Sequence, residues 1–223
     1  MTESPLVAPV LFHLGPVQIA QPVVTTWGLI AALTVVSFAI TRDLRRRPSR
    51  WQAVLEILVT TIEDQITATM QTAGRPFVPL LGTLFIFLVC ANLSGVLPGV
   101  KPPTASIETA AALALIVFLA VHVYGLRRRG PRAYLASYAK PTLIMLPLNI
   151  LAEITRTFSL MVRLFGNILS GEFVIATVLA LAGLFVPIPL MALAILIGVI
   201  QAYIFTVLAA VFIGAAIGSI ERG

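Results

Sequence analysis

Residues 159–167 read SLMVRLFGN, an apolar run interrupted at its centre by Arg163. A permanently charged guanidinium at membrane depth costs about 2.5–3.5 kcal/mol on insertion scales, so such a residue faces a protein interior or a wet cavity. Whether Arg163 stands at that depth depends on the chain around it. Of 223 residues, 59% are hydrophobic and 11% charged, and the mean hydropathy is +1.01. Soluble domains carry about 25% charged residues, so the composition is that of an integral membrane protein. It leaves no room for a separate soluble domain, and residues 1–223 read as one membrane domain.

The formal charge of +6 is not a nucleic-acid signal, because the basic residues stand in short clusters beside apolar runs. The single Cys90 excludes an internal disulfide and a cysteine metal cluster. No basic stretch precedes the first apolar run, so no cleavable signal peptide is expected.

Outward from Arg163, the chain divides into uncharged runs and arginine-rich loops. Residues 1–22 are proline-rich and weakly polar and are expected to form a short, irregular external arm. Val23 to Ile40, Phe77 to Leu97 and Thr109 to Leu126 are uncharged and read as three spans. Trp27 fits an interfacial anchor. Arg42, Arg45, Arg46, Arg47 and Arg50 follow the first span, and Arg127, Arg128, Arg129 and Arg132 follow the third. The positive-inside rule sets both loops in the cytoplasm and the N-terminus outside.

Between the first two spans, residues 50–73 read as an amphipathic helix on the cytoplasmic surface. Trp51, Leu55, Leu58, Ile62, Ile66 and Met70 share one face, while Glu56, Thr60, Glu63, Thr67 and Gln71 share another. That polar face is acidic, unlike the basic face of a lipid-binding helix, and is expected to meet protein or water.

Residues 141–220 contain two unusually long helical stretches. Thr142 to Ala182 would measure about 60 Å and Pro189 to Ile220 about 48 Å as helices, against a hydrocarbon core of about 30 Å. Gly183, Pro187 and Pro189 mark the turn. Helices of this length must tilt, kink or run along the surface. The expected fold is therefore all-α, with about five membrane-crossing helices, the last two a steeply tilted hairpin, and a cytoplasmic C-terminus.

At 3.6 residues per turn, Asn149, Arg156, Arg163, Asn167 and Ser170 lie close to one face of the penultimate helix, with Gly166 on the same side. Glu172 lies nine residues after Arg163, half a turn away in azimuth and about 13 Å along the axis. Arg163 keeps its proton and acts as a fixed charge. A carboxyl at membrane depth can be protonated and deprotonated, so Glu172 is a candidate relay. Gln201 is the one strong polar group of the last helix, with the Tyr203 hydroxyl nearby. A lone glutamine of this kind also serves as interhelical glue.

SLMVRLFGNILSGE, residues 159–172, resembles the channel subunit, subunit a, of the F-type ATP synthase membrane sector. The lead NILAEITR, with Glu153 and Arg156, the stretch ANLSGVLPG around Asn92 and IQAYIFTVL around Gln201 are similar to the same family. The resemblance covers the chain from about Phe77 onward and is weaker before it. It implies an ion-translocating stator subunit of a rotary ATP synthase, with proton the default ion. Arg163 would face the carboxylate of each subunit in a ring of c subunits and separate two offset half-channels. Asn167 and Gln201 would tune that contact, Glu172 would line the external half-channel, Asn92 would belong to a polar lining contributed by the second span, and Ser170 would belong to the ion path. Asn149, Glu153, Arg156 and Tyr203 are weaker members of this set, and Glu56, Glu63 and Asp64 weak candidates for the cytoplasmic entrance. Implied partners are the ring, b-type peripheral stalk subunits, the lipid bilayer and, indirectly, the soluble F1 ATPase head, in a bacterial inner membrane. No cofactor or metal is implied. The chain departs from the family at Ala194, seven residues before Gln201, where a titratable or polar group is often found.

The alternative function is a secondary ion transporter with an intramembrane Arg/Glu site, but no repeat between the halves supports it. An intramembrane enzyme would need a metal cluster, a His-Glu-x-x-His helix or a Ser–His pair, none of which the sequence offers. With Pro187 near the turn, straight helices would set Gln201 level with Glu172 rather than with Arg163.

Overall fold

A computed structural model describes residues 10–14, 17–42, 50–96, 100–138, 144–182 and 187–218. The architecture is an all-α membrane fold with one small exception at its start. Strands β1 (Val10–Leu14) and β2 (Val17–Ala20) pair antiparallel, Phe12 opposite Ile19 and Leu14 opposite Val17, with an irregularity after Val10. The irregular arm expected over residues 1–22 is thus corrected for these residues. The prolines and weak polarity of the segment concealed two short apolar runs with strand propensity. Residues 1–9 and the Gly15-Pro16 dipeptide lie outside the described residues.

Among the described residues seven α-helices follow: α1 (Gln21–Thr41), α2 (Arg50–Met70), α3 (Val78–Leu93), α4 (Ile107–Arg129), α5 (Pro131–Tyr138), α6 (Met145–Ala182) and α7 (Pro187–Ile217). Four of them, α1, α4, α6 and α7, are long and apolar enough to cross a membrane. The remaining expected span, α3, has 16 residues, about 24 Å of helix, and is extended by a 3-10 turn over Ser94–Val96. The short helix α5 follows the third span, where only a basic loop was expected.

Local chemistry fixes the ends. The Ser106 hydroxyl accepts from the Thr109 N–H, and Glu108 in the first turn and Arg127 to Arg129 in the last complement the dipole of α4. Gly130 ends α4 at φ 79°, a left-handed conformation that a side chain disfavours. Pro147 in the first turn of α6, and Pro187 and Pro189 in that of α7, stand where a missing N–H costs nothing. The turn between α6 and α7 (183–186) and the beginning expected for α6 at Thr142 lie outside the described residues.

Helix α7 is the central element, packed against α3, α4, α6 and α2. Its buried stripe of Ala202, Phe205, Ala209, Ala210 and Ile213 meets Leu81, Leu84 and Leu88 of α3, Ala110, Ala114 and Val117 of α4, and Leu160 and Leu164 of α6. In lipid the apolar effect gives little net drive for such contacts, and close packing of small residues and interhelical hydrogen bonds supply it instead. The alanines bring the α4 and α7 backbones together. Helix α2 packs against α7 and α3, with Ile66 and Met70 of its apolar face buried, while Val54 and Ile57 stay exposed. Trp51 has no described side chain.

Candidate functional site

On α6, Leu160 and Leu164 form the buried stripe. Arg163 stands about 100° to one side of Leu164 and Glu172 about 80° to the other. Arg163 is exposed and Glu172 half-buried. The two do not pair, and among the described residues the Arg163 guanidinium has no hydrogen bond or ion pair within the chain. Nothing lies within 4 Å of the space a side chain at Gly166 would enter, so the surface beside Arg163 is open.

One turn beyond Arg163, Asn167 Nδ2 donates to Gln201 Oε1 on α7 at 2.6 Å. This corrects the hairpin register expected from straight helices. Gln201 lies opposite Asn167, about one helical turn nearer to Arg163 than the simple arithmetic gives. Gln201 is buried, at 2% exposure, and its Nε2 has no acceptor among the described residues. A buried donor of this kind is costly. The Ser170 hydroxyl donates to the Asn167 carbonyl at 3.0 Å.

A second polar cluster lies one turn earlier on α7. Asn92 Nδ2, at the end of α3, donates to the Gly198 carbonyl at 2.7 Å. The Thr104 hydroxyl donates to Asn92 Oδ1 at 2.7 Å. Thr104 is fully buried in a 3-10 turn, Pro103–Ala105, wedged against α6, α4, α3 and α1. A Cβ on Gly198 would stand 2.9 Å from Asn92 Cβ, so the glycine makes the approach possible. Sequence reasoning picked out Asn92 but missed Thr104 and Gly198. The one available signal was the Pro102-Pro103 pair, which stiffens the loop holding Thr104.

The weaker candidates separate into three places. Asn149 Nδ2 donates to the Tyr138 carbonyl at 2.8 Å, tying α6 to α5. The Tyr203 hydroxyl accepts from Gln65 Nε2 at 2.9 Å, tying α7 to α2. On α2, Glu56 and Asp64 are exposed and Glu63 is half-buried. Arg156 pairs with Glu153 at 3.3 Å. Arg156 and Arg163 share an open groove of about 510 Å³ whose other walls include Thr155, Ser159 and, on α7, Leu208 and Phe212. His122 in α4 bonds the Phe118 carbonyl at 2.8 Å and stacks near Phe118 and Tyr134, away from this groove. Ala194 adds no polar group to α7. No group of His, Cys, Asp and Glu among the described residues is arranged to hold a metal ion.

The arrangement is a fixed, solvent- or partner-facing cation beside an amide pair, with a half-buried carboxyl on the other flank of the same helix. That set can attract an anionic group to Arg163, and Glu172 can take up and release a proton.

The chain matches a family described as ATP synthase A chain over residues 23–214. It is 66% identical over 223 residues to ATP synthase subunit a 2 of a Bradyrhizobium species, covering 100% of both chains. It is 48% identical over 204 residues to ATP synthase subunit a of Albidiferax ferrireducens, covering 91% of this chain and 88% of that one. Its identity with ATP synthase subunit a of Nitrosospira multiformis is 46% over 209 residues, covering 93% of this chain and 83% of the relative.

Proposed function

This chain belongs to the ATP synthase A chain family, and on that premise we propose that it is the ion-translocating stator subunit of a bacterial rotary ATP synthase. It is a membrane channel subunit and not the catalytic one. Its partner on the α6 face is a ring of c subunits, each bringing one carboxylate past Arg163. Glu172, Asn92 and Ser170 belong to the path from outside. The groove running from Arg163 past Arg156 leads to the cytoplasm, and Arg163 separates the two halves. The Asn167–Gln201 bond holds α6 and α7 together at that level. A b-type stalk and the soluble ATPase head complete the assembly, and the N-terminus faces outward in the inner membrane.

The observation that carries this reading is the exposed Arg163, without an ion pair or hydrogen bond among the described residues, on a face left open by Gly166. A charge that costs so much at membrane depth needs an anionic partner, and the described residues supply none there. The coupling ion is set largely by the ring carboxylate site, with proton as the default.

Disulfide trapping tests the proposed contact in the assembled complex. With Cys90 replaced by serine, Gly166→Cys is expected to cross-link, on oxidation, to a cysteine placed one turn from the ring carboxylate. A cross-link that forms only from the opposite face of α6 contradicts the reading.

A further inference from the structure

Two arginines line the groove below Asn167, and their surroundings differ. Arg156 lies seven residues before Arg163 on the same face of α6, about 10.5 Å along the axis. Both line the groove, with Ser159 between them along the helix and Thr155 just beyond Arg156. Arg156 Nη1 sits 3.3 Å from Glu153 Oε2, and Glu153 is the less exposed partner, at 14% against 39%. The Arg156 guanidinium carbon also stands 4.8 Å from the centre of the Phe212 ring on α7. Among the described residues, Arg163 has neither a carboxylate nor an aromatic face.

We propose that Glu153, with Phe212, holds Arg156 neutralised and pinned, so that a carboxylate moving along the groove meets Arg163 as the one cation left unpaired there among the described residues. This rests on the proposed reading of the groove as the surface facing the ring. Once a partner covers the groove, water leaves and each charge acts over a longer range. An uncompensated Arg156 would then be a second trap for the same carboxylate. Glu153 converts that charge into a short dipole, whose field falls off faster. Phe212 fixes the guanidinium through its ring face, which keeps the pair together.

The pair does not read as a staple. Glu153 and Arg156 are three residues apart on one helix, so their ion pair joins no two elements. A partly exposed pair of this kind adds little stability. What it changes is the charge presented along the groove. Glu153 is a positioning residue in this account, acting through Arg156.

The experiment uses the assembled ATP synthase in inverted membrane vesicles and follows ATP-driven build-up of membrane potential, which reads any coupling cation. Rates are normalised to assembled complex. Glu153→Gln is expected to slow the build-up by about tenfold, the scale of one added charge-assisted contact. The double variant Glu153→Gln/Arg156→Gln is expected to recover most of that loss, because removing the freed cation removes the trap. A normal rate in Glu153→Gln overturns the proposal. So does a double variant as slow, or as poorly assembled, as the single one, since that result makes Glu153 structural or a relay in its own right. An Arg163→Ala arm separates the two levels. If Arg163→Ala pumps normally, the reading of the groove fails; if it is dead while Glu153→Gln is normal, only the present proposal fails.

Discussion

Asn167 on α6 and Gln201 on α7 are joined side chain to side chain at 2.6 Å, 34 residues apart in sequence and one turn from Arg163. This bond sets the register of the two longest helices at the level of the free arginine. Gln201 is buried and Asn167 opens toward the exposed face, so the pair links the core of the bundle to the surface that carries the charge.

Replacing Gln201 by leucine removes the acceptor for Asn167 and also the enclosed, unpaired Nε2. The two effects oppose each other, each on a scale of about 1–3 kcal/mol. The assembled complex is therefore expected to melt within a few degrees of the wild type, while ATP-driven potential falls sharply because α6 loses its register. Normal pumping with leucine at 201 would remove this bond from the working parts.

Glu172→Gln is expected to slow ATP-driven charge uptake by about two orders of magnitude, the low end for loss of a positioned proton-transfer group. The resting leak is expected to stay at the wild-type level. A fast passive leak in this variant would place Glu172 at the seal between the half-paths, and an unchanged rate would remove it from the path.

The Thr104–Asn92–Gly198 chain gives a stability prediction with an internal control. Thr104→Val leaves the buried Asn92 oxygen without its donor and is expected to cost about 1–3 kcal/mol. Thr104→Ser keeps the hydroxyl and is expected to cost less. Gly198→Ala forces a Cβ against Asn92 and is expected to cost about 1–3 kcal/mol through overpacking. Thermal melting of the purified complex ranks the three. Equal melting of the valine and serine variants would show that the hydroxyl bond contributes nothing.

These sites differ in how far the sequence discloses them. The extents of α1, α4 and α7 follow from long apolar runs, that of α6 from a helical pattern that a few charges interrupt, and the shared face of Arg163 and Asn167 follows from helical spacing. The opposition of Asn167 and Gln201 does not. It depends on the tilt of two helices and on the turn between them, and one turn of slip exchanges Asn167 for a residue next to Glu172. Thr104 escaped notice because a threonine in a short proline-bearing loop looks like a surface turn, and only the folding of that loop into the bundle buries it. Strands β1 and β2 were hidden for the reverse reason, since turn-forming residues dominated the reading of a segment whose short apolar runs pair. Glu153 was visible as part of a resemblance, but its bond to Arg156 and the facing Phe212 ring belong to the packing of α6 on α7.

The central claim is that Arg163 is a fixed charge separating two half-paths. Its most direct test is to follow ATP-driven membrane potential and resting leak in the same inverted vesicles bearing Arg163→Ala, at wild-type levels of assembled complex. The account predicts no ATP-driven potential, together with a leak above the wild-type level. A potential that builds at the wild-type rate, with the leak unchanged, would contradict it.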